Sequence, residues 1–267
     1  MSVGKKLFEA GKLQEAIDQI TNEVRADPAD GSRRTFLFEL LCFAGEWQRA
    51  EKQLDVLAHQ STAAELGVMI YRANIKAEQE RRRLFTEGVQ PHFLKEPPTY
   101  IDLNLAALNH VRKGEWAEAR ATLDQAEEAR PAFSGKLNGE EFSDIRDNDD
   151  FVAPVLELIV KDKYVWMPIE QIKSLQISPP GKLRDLLWAS ARVEALDGTI
   201  GEVYMPSLYE GTSEHPDDQT KLGRLTDWQD LGGEVYRSVG LRMFRVDDQD
   251  KTLFEIESIQ FAEQKSN

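Results

Sequence analysis

Apolar residues recur along the first half of the chain in steps of three and four. After Gly11 they fall at Leu13, Ala16, Ile20 and Val24. After Gly45 they fall at Trp47, Ala50, Leu54 and Leu57, and after Gly114 at Trp116, Ala119, Leu123 and Ala126. This spacing lays one apolar stripe along each of three helices. The same six-residue phrase opens each run: GKLQEA, GEWQRA and GEWAEA. Glycine permits the tight turn ahead of the helix, and alanine has no bulk to hold a paired helix away. Gly11 and Gly45 lie 34 residues apart, and Gly45 and Gly114 lie 69 apart, two periods plus one. Pro28 and Pro131 each follow their glycine by 17 residues, where they stop a helix; Thr62 stands at that place in the middle copy.

A glycine-alanine phrase at this period resembles the tetratricopeptide repeat, over residues 1 to about 131. No glycine marks the copy due near Gln79. Residues 63–87 read instead as one long charged helix, broken by GVQPHFLKEPP at 88–98, and a helix from about Thr99 to Arg112 opens the last unit. Stacked helix pairs either build a scaffold only or leave a concave groove that holds a peptide or a helix, and the groove is the favoured reading.

From about Phe142 the period falls to two. SDIRDNDDF reads as a polar entry loop, and PVLELIV and KYVWMP as strands joined by a turn at Lys161 to Lys163. IEQIKSL reads as a short helix, LRDLLWASARVEAL mainly as strand, and DGTIGEVYMP as a turn and a strand. EVYRSVGLRMFRV and the alternating LFEIESIQF give two more. The expected fold class is α+β: a tetratricopeptide-like helical solenoid at residues 1–140, then a mostly antiparallel β domain at residues 141–267.

Charge sharpens the division. Residues 1–140 hold 19 basic and 22 acidic groups, a net of −3, and residues 141–267 hold 14 and 25, a net of −11. The total of −14 argues against a nucleic-acid partner, which calls for a cationic surface. Cys42 is the single cysteine, which excludes an internal disulfide, and it reads as a packed helix residue. No apolar run of 18 residues and no signal-peptide core appear, so no membrane partner is expected and the cytoplasm is the expected location.

The candidate chemistry is thin. DNDD at Asp147 to Asp150 suggests calcium, but an EF-hand needs glycine at its sixth position and Val152 stands there; a solvated loop or helix cap is the plainer reading. EHPDD at Glu214 to Asp218 offers His215 without a second histidine nearby, as in a surface loop. Arg81 to Arg83, flanked by Glu78, Glu80 and Glu87, read as a salt-bridged helix face, with an acidic partner as the alternative. No nucleophile motif or phosphate-binding loop is present. The expectation is therefore no catalytic residue, no cofactor and no metal. One grouping remains: LRDLLW and LGRLTDW bring Arg184, Asp185 and Trp188, and Arg224, Thr226, Asp227 and Trp228, close together in sequence. Such residues build a structural polar network or a docking patch, or less readily an enzyme or small-ligand site.

DNDDF, PVLEL, YVWMP, PPGKLRDLLW, DGTIGEVYMPSLYEG, KLGRLTDW and GLRMF occur in that order. Together they resemble the ImpE family, also called TagJ, and GEWAEARATLDQA carries the likeness into the repeats. The resemblance implies an accessory protein of bacterial type VI secretion. It implies association with the small subunit of the contractile sheath, through that subunit's N-terminal helical segment, and so an indirect link to sheath recycling by the ClpV unfoldase. It brings no catalytic residues. Arg184, Asp185, Arg224, Thr226, Asp227 and Trp228 fall in matched phrases, as candidates for fold maintenance or docking.

Overall fold

The computed structural model describes residues 2–59 and 62–262. Within them the helices come first: α1 (Val3–Glu9), α2 (Leu13–Ala26), α3 (Gly31–Phe43), α4 (Trp47–Ala58), α5 (Thr62–Glu87), α6 (Ile101–Lys113) and α7 (Trp116–Ala129). Short connections fold neighbours into antiparallel hairpins. Gly11, Gly45 and Gly114 take φ of +76°, +68° and +75°, the left-handed turn the repeated phrase calls for. The stripe alanines Ala16, Ala50 and Ala119 are buried, with Leu13, Ile20, Leu54 and Leu123 beside them. The helix that starts at Thr62 runs unbroken to Glu87, as the absence of a glycine near Gln79 predicts.

The strand-rich part begins at Gly135. An antiparallel sheet of eight strands holds β1 (Gly135–Leu137), β2 (Glu140–Phe142), β4 (Val155–Val160), β5 (Lys163–Pro168), β6 (Ile172–Ile177), β7 (Trp188–Ala195), β8 (Ile200–Pro206) and β13 (Ser258–Phe261). Their order is β2-β1-β13-β6-β7-β8-β4-β5. A smaller sheet joins β3 (Ile145–Asp147), β11 (Met243–Val246) and β12 (Gln249–Thr252), and β9 (Thr226–Gly232) pairs with β10 (Val235–Gly240) as a ribbon. The short helix α8 (Asp218–Lys221) precedes the ribbon. Fold class is as expected, helices followed by mostly antiparallel sheet. The open edge of β5 is covered at His92, whose N–H donates to the Tyr164 carbonyl (3.1 Å) and whose carbonyl accepts from Trp166 N–H (2.9 Å).

Three local readings are corrected. IEQIKSL is helical only as one 3-10 turn at Ile169–Gln171. From Ile172 it is strand, because Ile172, Leu175 and Ile177 face the core while β7 and β13 pair with either side. LFEIESIQF is strand only from Ser258. Glu255 accepts from the N–H and hydroxyl of Thr252, both at 2.7 Å, and this capping box folds Leu253–Glu255 into a turn. SDIRDNDDF is not a solvated loop: it contributes β3, and Asp147 and Asp149 are buried.

Candidate functional site

Helix α3 explains how the two parts meet. Its sequence, TFLFELLCF at 35–43, is apolar almost all round, so it must be covered on more than its hairpin side. The groove expected to hold a partner helix is accordingly filled by the chain's own strand-rich part. Trp188, fully buried, donates its indole N–H to Glu78 of α5 (3.0 Å). The guanidinium of Arg184 lies over the Tyr71 ring of α5, 5.4 Å from its centre. Glu39 of α3 is buried against the Arg184 backbone; burial pushes its carboxyl up to about 7, against the pull of Arg184.

Deeper in the same interface sits a network of buried charges that the sequence reading missed. Arg81 of α5 grips Glu157 of β4 with two bonds, Nε to Oε1 at 2.7 Å and Nη2 to Oε2 at 3.0 Å, and donates to the Leu208 carbonyl at 3.0 Å. Arg242 pairs with Glu157 and with Asp147 (2.5 Å) and donates to the Pro206 carbonyl (3.0 Å). The Tyr164 hydroxyl donates to Glu157, and Trp166 donates to the Tyr164 oxygen (2.5 Å). The Tyr209 hydroxyl donates to Asp147 (2.8 Å). Arg81, Asp147, Glu157 and Arg242 are each no more than 2% exposed. Burial alone would raise the Glu157 carboxyl, but Arg81 and Arg242 outweigh it and hold that carboxyl well below the usual range. Asp149 feels the pull of Arg237, but that does not outweigh its burial. Burial first, then the neighbouring Asp147, raise it to about 7, although it accepts from Ser238 N–H (2.8 Å) and Phe151 N–H (3.0 Å).

Arg81 keeps the expected helix pairing with Glu78 (3.3 Å), but buried rather than on a surface, while Arg83 with Glu87 (2.8 Å) keeps to the exposed pattern and Arg82 reaches Glu214 (2.5 Å). The signal for the network was a single Glu inside the apolar run VLELIV, where an unpaired carboxylate would not be tolerated.

The seven candidate residues do not converge on one cleft. Asp185 caps its own turn, accepting from Gly181 and Lys182 N–H at 2.9 Å. Arg224 reaches α1, donating to the Phe8 and Glu9 carbonyls (2.7 and 3.1 Å) with the Phe8 ring beneath it. The Thr226 hydroxyl donates to the Leu241 carbonyl (2.7 Å). Asp227 accepts from Trp228 N–H (2.8 Å) and faces His215 at 3.4 Å. Trp228 stands half exposed on the ribbon. Arg184, Trp188 and Arg224 thus fasten strands to helices. Asp218 does the same, accepting from Leu13 N–H (2.8 Å) at the uncapped start of α2. Among the described residues no group of three or more His, Cys, Asp or Glu is arranged to hold a metal ion, and no helix is long and apolar enough to cross a membrane.

One apolar helix face is left without cover. On α5, Leu66, Met69 and Ile70 are 62%, 61% and 38% exposed, and Ala73 continues the row half-buried. These positions step i, i+3, i+4, i+7, a seam on one side of the helix, opposite the buried Val68 and Ile75. A Cβ added at the neighbouring Gly67 would meet nothing within 4 Å.

These features define a class: helical hairpins sealed on their inner face by an antiparallel β domain of the same chain, locked by buried ion pairs. A family model described as ImpE protein matches residues 139–260. Over 259 residues the chain is 34% identical to the type VI secretion system accessory component TagJ of Pseudomonas aeruginosa, spanning 97% of this chain and 91% of that protein. The chain belongs to this ImpE/TagJ family. Its fold is also similar to the X-ray crystal structure of protein VPA1032 from Vibrio parahaemolyticus, with a TM-score of 0.89, 26% identity and 98% of each chain covered.

Proposed function

We propose that the chain is an accessory adaptor of a type VI secretion system. It works in the cytoplasm and binds the N-terminal helical segment of the small contractile-sheath subunit, and through that subunit it bears on sheath assembly or ClpV-dependent recycling. Family membership supports the secretion role. The observation that carries the binding mode is the uncovered seam of Leu66, Met69 and Ile70 on α5. Its spacing suits a second amphipathic helix laid alongside. Burying three such side chains contributes roughly 1.5–3 kcal/mol each. Less the cost of association, this seam supplies only part of the roughly 8 kcal/mol that micromolar affinity requires. The expected groove between hairpins is filled by the chain itself, so the adaptor grips from its outer surface.

Calorimetric titration of the chain with the small sheath subunit, whole and lacking its N-terminal helix, tests this. Binding is expected only to the whole subunit, and a Met69→Asp chain, altered at an exposed position, is expected to lose it. Equal affinity for both subunit forms removes the proposal; full binding by the Met69→Asp chain moves the site off α5.

A further inference from the structure

The β9–β10 ribbon carries two large aromatic side chains that the fold does not use. Trp228 is 49% exposed and Tyr236 48%. Trp228 lies opposite Ser238, and Tyr236 opposite Asp230, so the two aromatics are diagonal neighbours on one face with Asp230 beside them. The ribbon behind them is held rigidly. Trp116 of α7 presses on Gly232 and Gly233, and Arg237 stacks 4.4 Å above the Phe85 ring of α5 while pairing with Glu210. The exposed rings are thus displayed on a fixed support, a condition that favours binding because little remains to be ordered.

The charge around them is negative. Trp228 borders an open polar cleft of about 490 Å³, whose other walls include Asp144, Asp247, Arg130 and Arg245. Its three arginines are already paired: Arg130 with Glu127 (2.7 Å) and Asp144 (2.6 Å), Arg146 with Glu127 (3.0 Å) and Asp150, and Arg245 with Asp250 (2.5 Å). Asp247 and the ribbon's own Asp230 add carboxylates, within a half of the chain whose net charge is −11. An aromatic face in a negative field is complementary to a cation. Of the two basic side chains, arginine is the better match, because its flat guanidinium stacks on an indole and still bonds to carboxylates at its edge.

We propose that the Trp228–Tyr236 face is a docking surface for a partner-protein segment that presents an arginine, stacked on Trp228 beside Asp230. It uses none of the α5 seam and stands or falls separately from it.

The test uses the full chain labelled with 5-fluorotryptophan and a hexa-arginine peptide as probe, with hexa-glutamate as control. Fluorine NMR reports each tryptophan, and the Trp228 signal is the one missing in Trp228→Phe. It is expected to shift on adding hexa-arginine at about 0.15 M salt, where general charge attraction is screened within roughly 8 Å, and to stay put with hexa-glutamate. Trp228→Leu is expected to weaken peptide binding roughly five-fold or more, the loss of one stacked cation. Tyr236→Leu is expected to weaken it less, and unchanged signals from the other tryptophans report an intact fold. An unmoved Trp228 signal overturns the proposal. So does wild-type affinity in both leucine variants, which would mean that the acidic half attracts the peptide without an aromatic site.

Discussion

Replacing Glu157 by glutamine keeps the shape of the side chain and removes one charge from the centre of the molecule. Two guanidiniums converge on that carboxylate, Arg81 through two bonds of 2.7 and 3.0 Å and Arg242 from the other side. At an effective dielectric constant of about 20, each cation at roughly 4 Å loses about 4 kcal/mol of attraction. The two like charges then face each other with only Asp147 and Glu78 to offset them. Against this stands the relief of one carboxylate from its desolvation. Breaking a buried pair from one side costs about 3–5 kcal/mol in comparable cases, and that is the expected loss for Glu157→Gln. Urea unfolding followed by circular dichroism would show it as a midpoint lowered by about 1 M or more. Arg83→Met, which removes an exposed pair, should cost less than about 1 kcal/mol. If Glu157→Gln costs no more than Arg83→Met, the buried network does not hold the helices to the sheet.

Stability should also depend on pH in two opposing windows. The raised carboxyls of Glu39 and Asp149, each near 7 when folded, bind protons more readily in the folded chain, so they favour folding as pH falls from about 8 to 5. The depressed Glu157, Asp144 and Asp150 act the other way, and their contribution is lost as pH drops below about 4.5. A maximum near pH 5 is therefore expected in a series of melting temperatures, and Glu39→Gln should flatten the slope between 5 and 7. Arg224→Ala removes two donors from the last carbonyls of α1 and should speed hydrogen exchange in α1 by several-fold, with global stability reduced by only about 1 kcal/mol. At Gly240, φ is +92° and an added Cβ would lie 2.1 Å from the Leu225 carbonyl oxygen; Gly240→Ala should lower the melting temperature far more than Gly114→Ala, where φ is +75° and nothing lies within 4 Å, leaving only the conformational cost of about 1–2 kcal/mol. Equal losses at the two glycines would count against that crowding.

The helical half was legible because its signal is local and repeated. Gly11, Gly45 and Gly114 fix the turns, and the stripe that follows each is the buried face. The strands were less so. β1, β2 and β3 are three residues each, too short to show a period, and β9 hides in TDWQDLG, whose polar residues read as a cluster of chemistry. Arg184 and Arg224 stand out by their types, but their partners, Tyr71 and Phe8, lie far off in sequence. The network of Arg81, Asp147, Glu157 and Arg242 was hidden for the same reason, since its members are brought together only by folding. Asp147 and Asp149 look hydrophilic in a line of text and are among the best-buried groups in the molecule.

A free stack of hairpins behaves as a spring, since each unit leans only on its neighbours and the whole bends under load. This one is clamped along its length. Arg224 holds α1, Asp218 holds α2, Arg184 meets α3 at Glu39, Glu157 and Trp188 hold α5, and Gly233 abuts Trp116 of α7. The chain should melt in a single step where loose arrays unzip unit by unit, and a load applied at one end should reach the other with little lost to flexing.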